Sequence, residues 1–586
     1  MSNHSIKTFL EYKDKPSVLF EKLLEIWREE ISNKEKKTTR IIIQLNKEYG
    51  IDFCESGLRA IDEGINCFDI FHVLENAIPY LILDVSATIA FLQKINKCME
   101  SDLASGLQYA PIKKLVNTQP DFAKKLLKKL LELNDTFIVG YISAIFEEFS
   151  KDNLVEIHAK LVSLIESNSE SEYVLQAIII ALGNLYYQPD STQSLIKKTI
   201  NIFDKFINKS NADIKATLVI ALGSLMKFTD DVFDKLFKLS CIELPQIKFQ
   251  VSRVLFTYFD EINHNQWFVK ILMQLSNIKC EYKGIIDNLD YILLKIVREK
   301  KDYTLTEEFF TKWLLVSDYG NTAHKLEDLF NSLLAEFINN EEFLSGLITK
   351  YFNHENSKLH LAASEIIRYC NLHRKSQLKL NSDILKQFSF DDLKYICRKI
   401  LGYLYEPITL CSLIFSIYES NPENKDIKSL IFPIFIDILG KDYSGTVLKF
   451  LEEKLTEYNQ FENTKNFINS ISESIKKKHE QLNSLTRLKE FLLPRKFAYQ
   501  ISLEENKKMN IIMEQAQKNS IVNLIATKIP LKYGKGWFGY VNGKYMTPSK
   551  LTSFSHAVEL PRSEMTHPVS AALRRFGFRL AKRDES

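Results

Sequence analysis

Residues 177–190 read AIIIALGNLYYQPD and residues 217–230 read TLVIALGSLMKFTD, so an Ala-Leu-Gly triplet recurs after forty positions. A third, weaker copy follows, because the pattern of Ile214–Leu218 returns at Ile247–Val251. A helical unit that recurs every 30 to 40 residues, roughly, is typical of helix pairs stacked side by side. These copies therefore predict a repeat architecture for the chain around them.

The repeated stretch predicts a helix that is apolar nearly all round. Such a helix must be covered on every side, and in a stack of repeats it is the inner helix between its neighbours. Gly183 and Gly223 lie inside this pattern. A mid-helix glycine costs about 1 kcal/mol relative to alanine, so we expect it to permit the close approach of a neighbouring helix.

The composition limits the fold class. A chain of 586 residues is too long for one compact core. Its 45% hydrophobic content excludes general disorder. With only 18 Gly and 14 Pro, a turn-rich all-β fold is disfavoured. From about 50 to 460 the pattern of helix, polar break and helix continues, as in residues 358–369, KLHLAASEIIRY.

This helix-pair pattern resembles the HEAT and armadillo-like α-solenoids over about residues 50–460. The resemblance implies an extended concave binding surface and implies no particular chemistry. The expected fold class is all-α, a HEAT-like α-solenoid of stacked helix pairs with a small β-containing C-terminal module. Four segments are predicted: an N-terminal helical region (1–50), HEAT-like repeats (51–460), C-terminal helices or a connector (461–528), and a small basic module (529–586).

The last segment differs in character from the rest. Residues 537–541 (WFGYV) and 544–546 (KYM) flank Asn542-Gly543, which predicts a β-hairpin with a type I′ turn. Residues 551–560 predict a third strand. Pro561 and Pro568 are expected to frame a loop, and residues 571–583 a short basic helix or arm.

Charge is unevenly distributed along the chain. The net charge is +3, of which residues 528–586 carry +7 and residues 1–527 carry −4. Arginine suits phosphate and carboxylate recognition, and an aromatic beside it can stack on bases. The candidate binding residues are Lys532, Lys535, Trp537, Arg562, Arg574, Arg575 and Arg579. Two interpretations remain open: the arm docks on its own acidic body or a protein partner, or it binds nucleic acid.

Enzymatic motifs are weakly represented. The sequence contains no Walker-type loop, no Gly-x-Ser-x-Gly elbow and no His-Glu-x-x-His motif. The most suggestive group, which could bind a metal or supply a base, is His556, Glu559, Glu564 and His567. His556 would share a strand face with Phe554 and Val558, which favours a packed histidine. We therefore expect no metal, cofactor or small-molecule substrate, and lean against an enzyme.

The eight cysteines show no Cys-x2-Cys spacing, which favours buried thiols in a reducing cytoplasm. The N-terminus has no apolar core of signal-peptide length and no apolar run is long enough to span a membrane, so a soluble, cytoplasmic protein without a membrane partner is expected. The leading hypothesis is a non-enzymatic scaffold or adaptor that binds a protein partner along a helical-repeat surface. The alternative is a nucleic-acid-binding HEAT-like protein that uses the basic C-terminal module.

Overall fold

The computed structural model describes residues 9–33, 36–99, 106–167, 171–188, 192–373, 377–485, 495–518, 559 and 561–583, and four short strands between 536 and 550. These residues are overwhelmingly helical, so the predicted all-α class is confirmed. The chain divides into two compact units, Met1–Glu341 (unit 1) and Glu342–Ser586 (unit 2). This division is coarser than the four predicted segments, and its boundary lies inside the predicted repeat segment.

Unit 1 is made of α-helices joined mostly by short turns. Its described helices are α1 Pro16–Asn33, α2 Lys37–Tyr49, α3 Phe53–Asp62, α4 Cys67–Leu74, α5 Val85–Met99, α6 Ala110–Thr118, α7 Pro120–Leu131, α8 Ile138–Phe149, α9 Leu154–Ser167, α10 Glu172–Asn184, α11 Gln193–Lys209, α12 Ala212–Leu225, α13 Phe233–Ser240, α14 Pro245–Thr257, α15 Phe259–Ile262, α16 Gln266–Met273, α17 Lys283–Lys295, α18 Tyr303–Val316, α19 Leu326–Leu329 and α20 Asn331–Phe337. Short 3₁₀ turns occur at Ile78–Tyr80, Leu107–Tyr109 and Asp230–Val232, and a π turn at Ile296–Lys300.

One series of helices runs through unit 1. Helices α6, α8, α10, α12, α14, α17 and α20 each pack on the next member. The intervening helices α7, α9, α11 and α13 each pack on the member that follows them in the chain. The three sequence copies lie in α10, α12 and α14, so the repeated stretch marks helices that pack in succession.

The glycines of this series permit the expected close approach. A Cβ added to Gly183 would lie 2.6 Å from the Cα of Ala221. A Cβ added to Gly223 would lie 2.8 Å from the Cγ2 of Val254. No side chain larger than hydrogen fits at either position without displacing a neighbour, which confirms the role predicted for both glycines.

Unit 2 is also helical. Its described helices are α21 Glu341–Asn353, α22 Ser357–His373, α23 Ser382–Leu385, α24 Phe390–Tyr403, α25 Pro407–Ser420, α26 Lys425–Pro433, α27 Gly440–Asp442, α28 Ser444–Glu457, α29 Glu462–Ser484, α30 Arg495–Lys518, α31 Arg562–Thr566 and α32 Pro568–Leu580, with a π turn at Ile434–Leu439. Helices α24, α25, α28 and α29 pack in succession, and the chain then returns, so that α31 packs on α27 and α32 on α24.

Four two-residue strands lie between α30 and α31: β1 Gly536–Trp537, β2 Tyr540–Val541, β3 Lys544–Tyr545 and β4 Ser549–Lys550. β2 pairs antiparallel with β3, with Val541 opposite Lys544, and β1 pairs antiparallel with β4. The strand predicted at 551–560 falls, apart from Glu559, outside the described residues. The loop predicted between Pro561 and Pro568 is wrong, because α31 forms there, and Pro561 is the extended residue that precedes it.

Most of the cysteines are buried. None of the eight, all of which belong to the described residues, forms a disulfide; six are buried, Cys98 is half-buried and Cys241 is exposed. Burial raises the pKa of the Cys54 and Cys397 thiols to about 12, which keeps them protonated. Within the described ranges, no helix combines the length and the apolar character required to cross a bilayer.

Candidate interaction surfaces

A groove of about 670 Å³ crosses five successive members of the helix series in unit 1. Its lining residues include Lys113, Gly140, Glu147, Ile180, Asn184, Ile220 and Arg253, from α6, α8, α10, α12 and α14. The Nζ of Lys113 donates to Glu147 at 2.6 Å. Half-buried apolar side chains, one ion pair and an exposed arginine therefore face the same groove, a mixture that suits a polypeptide ligand.

The second surface is the C-terminal arm, residues 561–583, which packs on other helices of unit 2. Proline at the first position of α32 has no backbone N–H to satisfy and so favours helix initiation. The C-terminal end of α32 lies close to α24: a Cβ on Gly402 would be 3.0 Å from the backbone nitrogen of Arg579. A side chain at position 402 would therefore require the C-terminal end of α32 to shift slightly.

Three arginines, spaced four residues apart, lie on the side of the arm that contacts the other helices of unit 2; this side is called the docking face. The central carbon of each guanidinium lies 4.4, 5.2 and 5.2 Å from the centre of a tyrosine ring. The pairs are Arg575 on Tyr405, Arg579 on Tyr403 and Arg583 on Tyr395. Such cation–π contacts contribute about 0.5–1 kcal/mol at exposed sites and more when desolvated.

Ion pairs and hydrogen bonds complete the docking. Arg574 donates to Asp442 at 2.7 Å, and the same buried carboxylate accepts the backbone N–H of Ser563 at 2.9 Å. Arg575 pairs with Glu564, and Arg583 pairs with Asp392. Charge-assisted hydrogen bonds to a buried carboxylate are among the stronger single contacts in proteins, so Asp442 is the principal anchor of the arm.

The C-terminal end of α32 is capped by a buried lysine. The Nζ of Lys399 donates to the carbonyl oxygens of Arg579 at 2.6 Å and Ala581 at 2.8 Å. Arg579 in turn donates to the Gly402 carbonyl and to the Tyr405 hydroxyl, each at 2.7 Å. A cation at a helix C-terminus satisfies carbonyls that the helix leaves unpaired and opposes its dipole.

Glu559 is used as a helix cap. Its carboxylate accepts the backbone N–H groups of Gly445 at 2.9 Å and Thr446 at 2.7 Å, and the Thr446 hydroxyl at 2.7 Å. Burial raises the pKa of Glu559, but these hydrogen bonds outweigh it and lower the pKa below its usual value. The carboxylate thus stays ionised and holds the start of α28.

His360 lies beneath the tyrosines that receive the arm. Its ring centre is 6.0 Å from that of Tyr395 and 5.4 Å from that of Tyr403. Burial lowers the pKa of His360 to about 4, and nearby Lys399 adds to this, whereas the hydrogen bond to the His354 carbonyl opposes it. The imidazole is therefore neutral at physiological pH.

The opposite face of α32 carries an apolar stripe, defined as Val569, Leu573, Phe576 and Leu580. These side chains are 72, 64, 56 and 60% exposed. A helix ordinarily buries its apolar side and exposes its charges, whereas α32 does the reverse. Leaving such side chains in water forgoes about 1.5–3 kcal/mol each relative to full burial.

A cleft of about 630 Å³ lies at the N-terminal end of the arm. Its apolar lining comes from Ile436, Ile475, Leu482 and Leu485, and its polar lining includes Asp437, Lys441, Lys478, His479, Arg562 and His567. Lys478 donates to Asp437 at 2.7 Å. The cleft is therefore apolar with a mainly cationic border.

The predicted site residues fall into three groups. Arg574, Arg575 and Arg579 lie on the docking face, and their contacts are those of the interpretation in which the arm folds back on its own body. Arg562 is exposed at the cleft. Lys532, Lys535 and the side chain of Trp537 lie outside the described residues, so their role stays a prediction.

Of the four residues considered as metal ligands or as a base, each described one has a different environment. Glu559 caps α28, Glu564 pairs with Arg575, and His567 is exposed just before α32. His556 lies outside the described residues. Within the part of the chain that the structure describes, no three His, Cys, Asp or Glu side chains converge to hold a metal ion.

The residues of unit 2 that contact the arm were not predicted from the sequence. They are Asp392, Lys399, Asp442 and the three tyrosines. The four-residue spacing of Arg575 and Arg579 places them on one face of α32, whereas Arg583 lies beyond the end of that helix. Nothing local to Asp442 or Lys399 distinguishes them from solvent-exposed charges, because their partners lie far away in the chain.

Comparison with known proteins assigns neither a family nor a fold to this chain. No protein-family model and no curated protein matches the chain. The crystal structure of an engineered protein from a structural genomics consortium aligns with 72% of this chain and 99% of its own length. Its sequence identity is 12% and the TM-score is 0.19, which is too low to assign a fold.

Proposed function

We propose that this protein is a non-enzymatic scaffold or adaptor with a HEAT-like α-solenoid architecture, which binds a protein partner along its helical-repeat surface. The observation that carries the proposal is the groove across α6, α8, α10, α12 and α14 in unit 1. Grooves built from successive inner helices are the binding surfaces of helical-repeat proteins. The paired strands β1–β4 are consistent with a small β-containing module before the arm.

The mixed lining of the groove supports a polypeptide ligand over a small molecule. Ile180 and Ile220 offer apolar contacts, and Arg253 offers an exposed cation near them. An enzyme would require convergent acid, base or nucleophilic groups. The described part of the groove instead presents Lys113 and Glu147 already paired with each other.

The alternative function, nucleic-acid binding through the basic C-terminal module, has less support. Arg574, Arg575 and Arg579 are occupied by Asp442, Glu564, Gly402 and tyrosine rings. If nucleic acid does bind, its affinity should fall steeply with salt, because phosphate contacts release counterions.

The test is affinity purification of the full-length chain from its native host, with and without nuclease, followed by groove variants. Ile180→Glu and Arg253→Glu should release the retained protein, while Lys197→Glu should retain it. Lys197 is an exposed lysine of α11, so it reverses the same charge outside the groove. Retention of nucleic acid alone, or release by Lys197→Glu as well, would contradict the scaffold proposal.

A further inference from the structure

The cleft at the N-terminal end of the arm continues the buried face of α29. On this face Ile468, Ile471 and Ile475 are at most 1% exposed and follow the spacing of one side of a helix. Leu482 and Leu485 continue the same side, line the cleft, and are 42 and 66% exposed. The described residues of unit 2 therefore cover the apolar face of α29 at its start and leave it largely open near its C-terminal end.

The apolar lining of the cleft is aliphatic. Ile436 and Ile475 line it together with the two leucines, and none of the described lining residues is Phe, Tyr or Trp. Gly440 also lines the cleft, and a Cβ added there would lie 2.8 Å from the Cδ1 of Ile475, so this wall is closely packed. A planar ring ordinarily stacks on an aromatic side chain. The lining therefore favours a hydrocarbon chain over a nucleotide base or another planar ring.

Two cations of the cleft are not paired with a carboxylate. Lys441 and Arg562 are exposed lining residues, and neither forms an ion pair with a described residue. A third cation of the lining, Lys478, is already paired with Asp437 at 2.7 Å. The cleft thus presents two uncompensated positive charges beside its apolar lining, which an anionic group on an apolar ligand would complement.

The backbone positions of these two cations are fixed relative to each other. The N–H of Ser563, the residue after Arg562, donates to the carboxylate of Asp442, the residue after Lys441, at 2.9 Å. Asp442 is 6% exposed and also accepts from Arg574 at 2.7 Å. Both cations are therefore presented to the cleft from an ordered junction of α27 and α31. A preorganised site loses less conformational entropy on binding than a mobile one.

The size of the cleft suits a small molecule. Its volume of about 630 Å³ lies within the range of roughly 300–1,000 Å³ that is usual for small-molecule pockets. This is room for a single hydrocarbon chain together with its headgroup.

We propose that this cleft binds an aliphatic anion, a single hydrocarbon chain that ends in a carboxylate or a phosphate group. The chain packs on Ile475, Leu482 and Leu485. The headgroup binds Lys441 and Arg562, because the planar fork of arginine suits either kind of oxyanion. The site lies in unit 2 and depends neither on the groove of unit 1 nor on the function proposed there.

The test is isothermal titration calorimetry of the full-length protein with dodecanoate and with dodecyltrimethylammonium, both below their micelle concentrations. These probes share the chain and differ in the sign of the charge, so the Kd should be at least tenfold lower for dodecanoate. Decanoate should bind about tenfold more weakly than dodecanoate, because it buries two fewer methylene groups. Dodecyl phosphate, titrated in parallel, shows which of the two headgroups binds more tightly.

Variants of the protein locate the binding. Lys441→Glu and Arg562→Glu should each weaken dodecanoate binding at least fivefold, whereas Lys449→Glu, at an exposed lysine of α28 outside the cleft, should leave it unchanged. Leu485→Gln should weaken it at least tenfold. Ile82→Gln in unit 1 is the matched control, because both side chains are 66% exposed. All five positions are exposed, so the unfolding temperature should not change and a loss of binding cannot be ascribed to unfolding.

Three outcomes would overturn the proposal. The first is equal affinity for dodecanoate and dodecyltrimethylammonium, or dodecanoate binding that survives both Arg562→Glu and Leu485→Gln. The second is binding of acetate or inorganic phosphate as tight as that of dodecanoate, which would make the cleft a site for anions without a chain. The third is co-sedimentation with phosphatidylglycerol–phosphatidylcholine vesicles that Arg562→Glu abolishes, without binding of free dodecanoate, which would make a lipid surface the ligand.

Discussion

Helix α12 of unit 1 and helix α32 of unit 2 are held in place in opposite ways. Helix α12 buries apolar residues on nearly every side. The side chain of Val254 from α14 occupies the space beside its Gly223. Helix α32 is docked through arginines and turns its apolar stripe to solvent. The difference shows that apolar packing holds α12, whereas polar and cation–π contacts hold α32.

Burial of His360 beneath the tyrosines that receive the arm should make the stability of unit 2 depend on pH. The folded state binds a proton on His360 only near pH 4, while the unfolded chain does so near 6.5. Stability is therefore lost as pH falls from about 6.5 to 4, by about 3 kcal/mol in total.

Hydrogen exchange of α24 and α32 in the full-length chain would measure this loss. His360→Phe should flatten the pH dependence between 6.5 and 4, and His264→Gln, at an exposed histidine of unit 1, should leave it unchanged. The same slope in both variants would show that His360 is not the responsible group.

Removal of the principal anchor tests the docking directly. Asp442→Ala leaves Arg574 and the Ser563 N–H without their acceptor, and we expect it to destabilise the docked arm by about 2–3 kcal/mol. The value lies below that for a fully buried pair because Arg574 is 30% exposed. Faster exchange in α31 and α32 measures it, and Glu453→Ala, at an exposed carboxylate of α28, serves as the control. Unchanged exchange in the arm would mean that the apolar contacts of α32 suffice.

Replacing glycine with alanine should change the free energy of unfolding in opposite directions at Gly183 and Gly577. Gly183→Ala places a Cβ against the backbone of Ala221, so we expect unit 1 to lose about 2 kcal/mol. Gly577→Ala meets open space and should stabilise α32 by up to about 1 kcal/mol. Denaturant unfolding of the two variants, with hydrogen exchange to assign the unit affected, gives both values. Loss of stability at both positions would remove the distinction between the two helices.

The contrast between local apolar patterns and long-range polar contacts explains which parts of the structure could be predicted from the sequence. The succession of α10, α12 and α14 was predictable because the apolar pattern, the period and the small residues are local properties. The C-terminal segment 571–583 was predicted only as a short basic helix or an arm, and the structure has the helix at Pro568–Leu580. The docking of that helix was not predictable, because Arg574 and Asp442 are 132 positions apart, and Lys399 and Arg579 are 180. A single sequence shows the charges of such pairs but not which charge meets which.

The smallest expected effect concerns Glu559, which the sequence suggested as a metal ligand and the structure places as a helix cap. Glu559→Gln keeps an acceptor for the N–H groups of α28 but removes the charge that favours a helix N-terminus, so a loss of about 1 kcal/mol is expected. Because the folded-state pKa of Glu559 lies below its usual value of 4.5, its contribution is present above that pH and is lost as pH falls below it. Exchange at the first turn of α28 at pH 7 and pH 3 should therefore differ between the wild-type protein and Glu559→Gln at the higher pH and converge at the lower. A difference that persists at pH 3 would mean that shape, and not charge, makes Glu559 a cap.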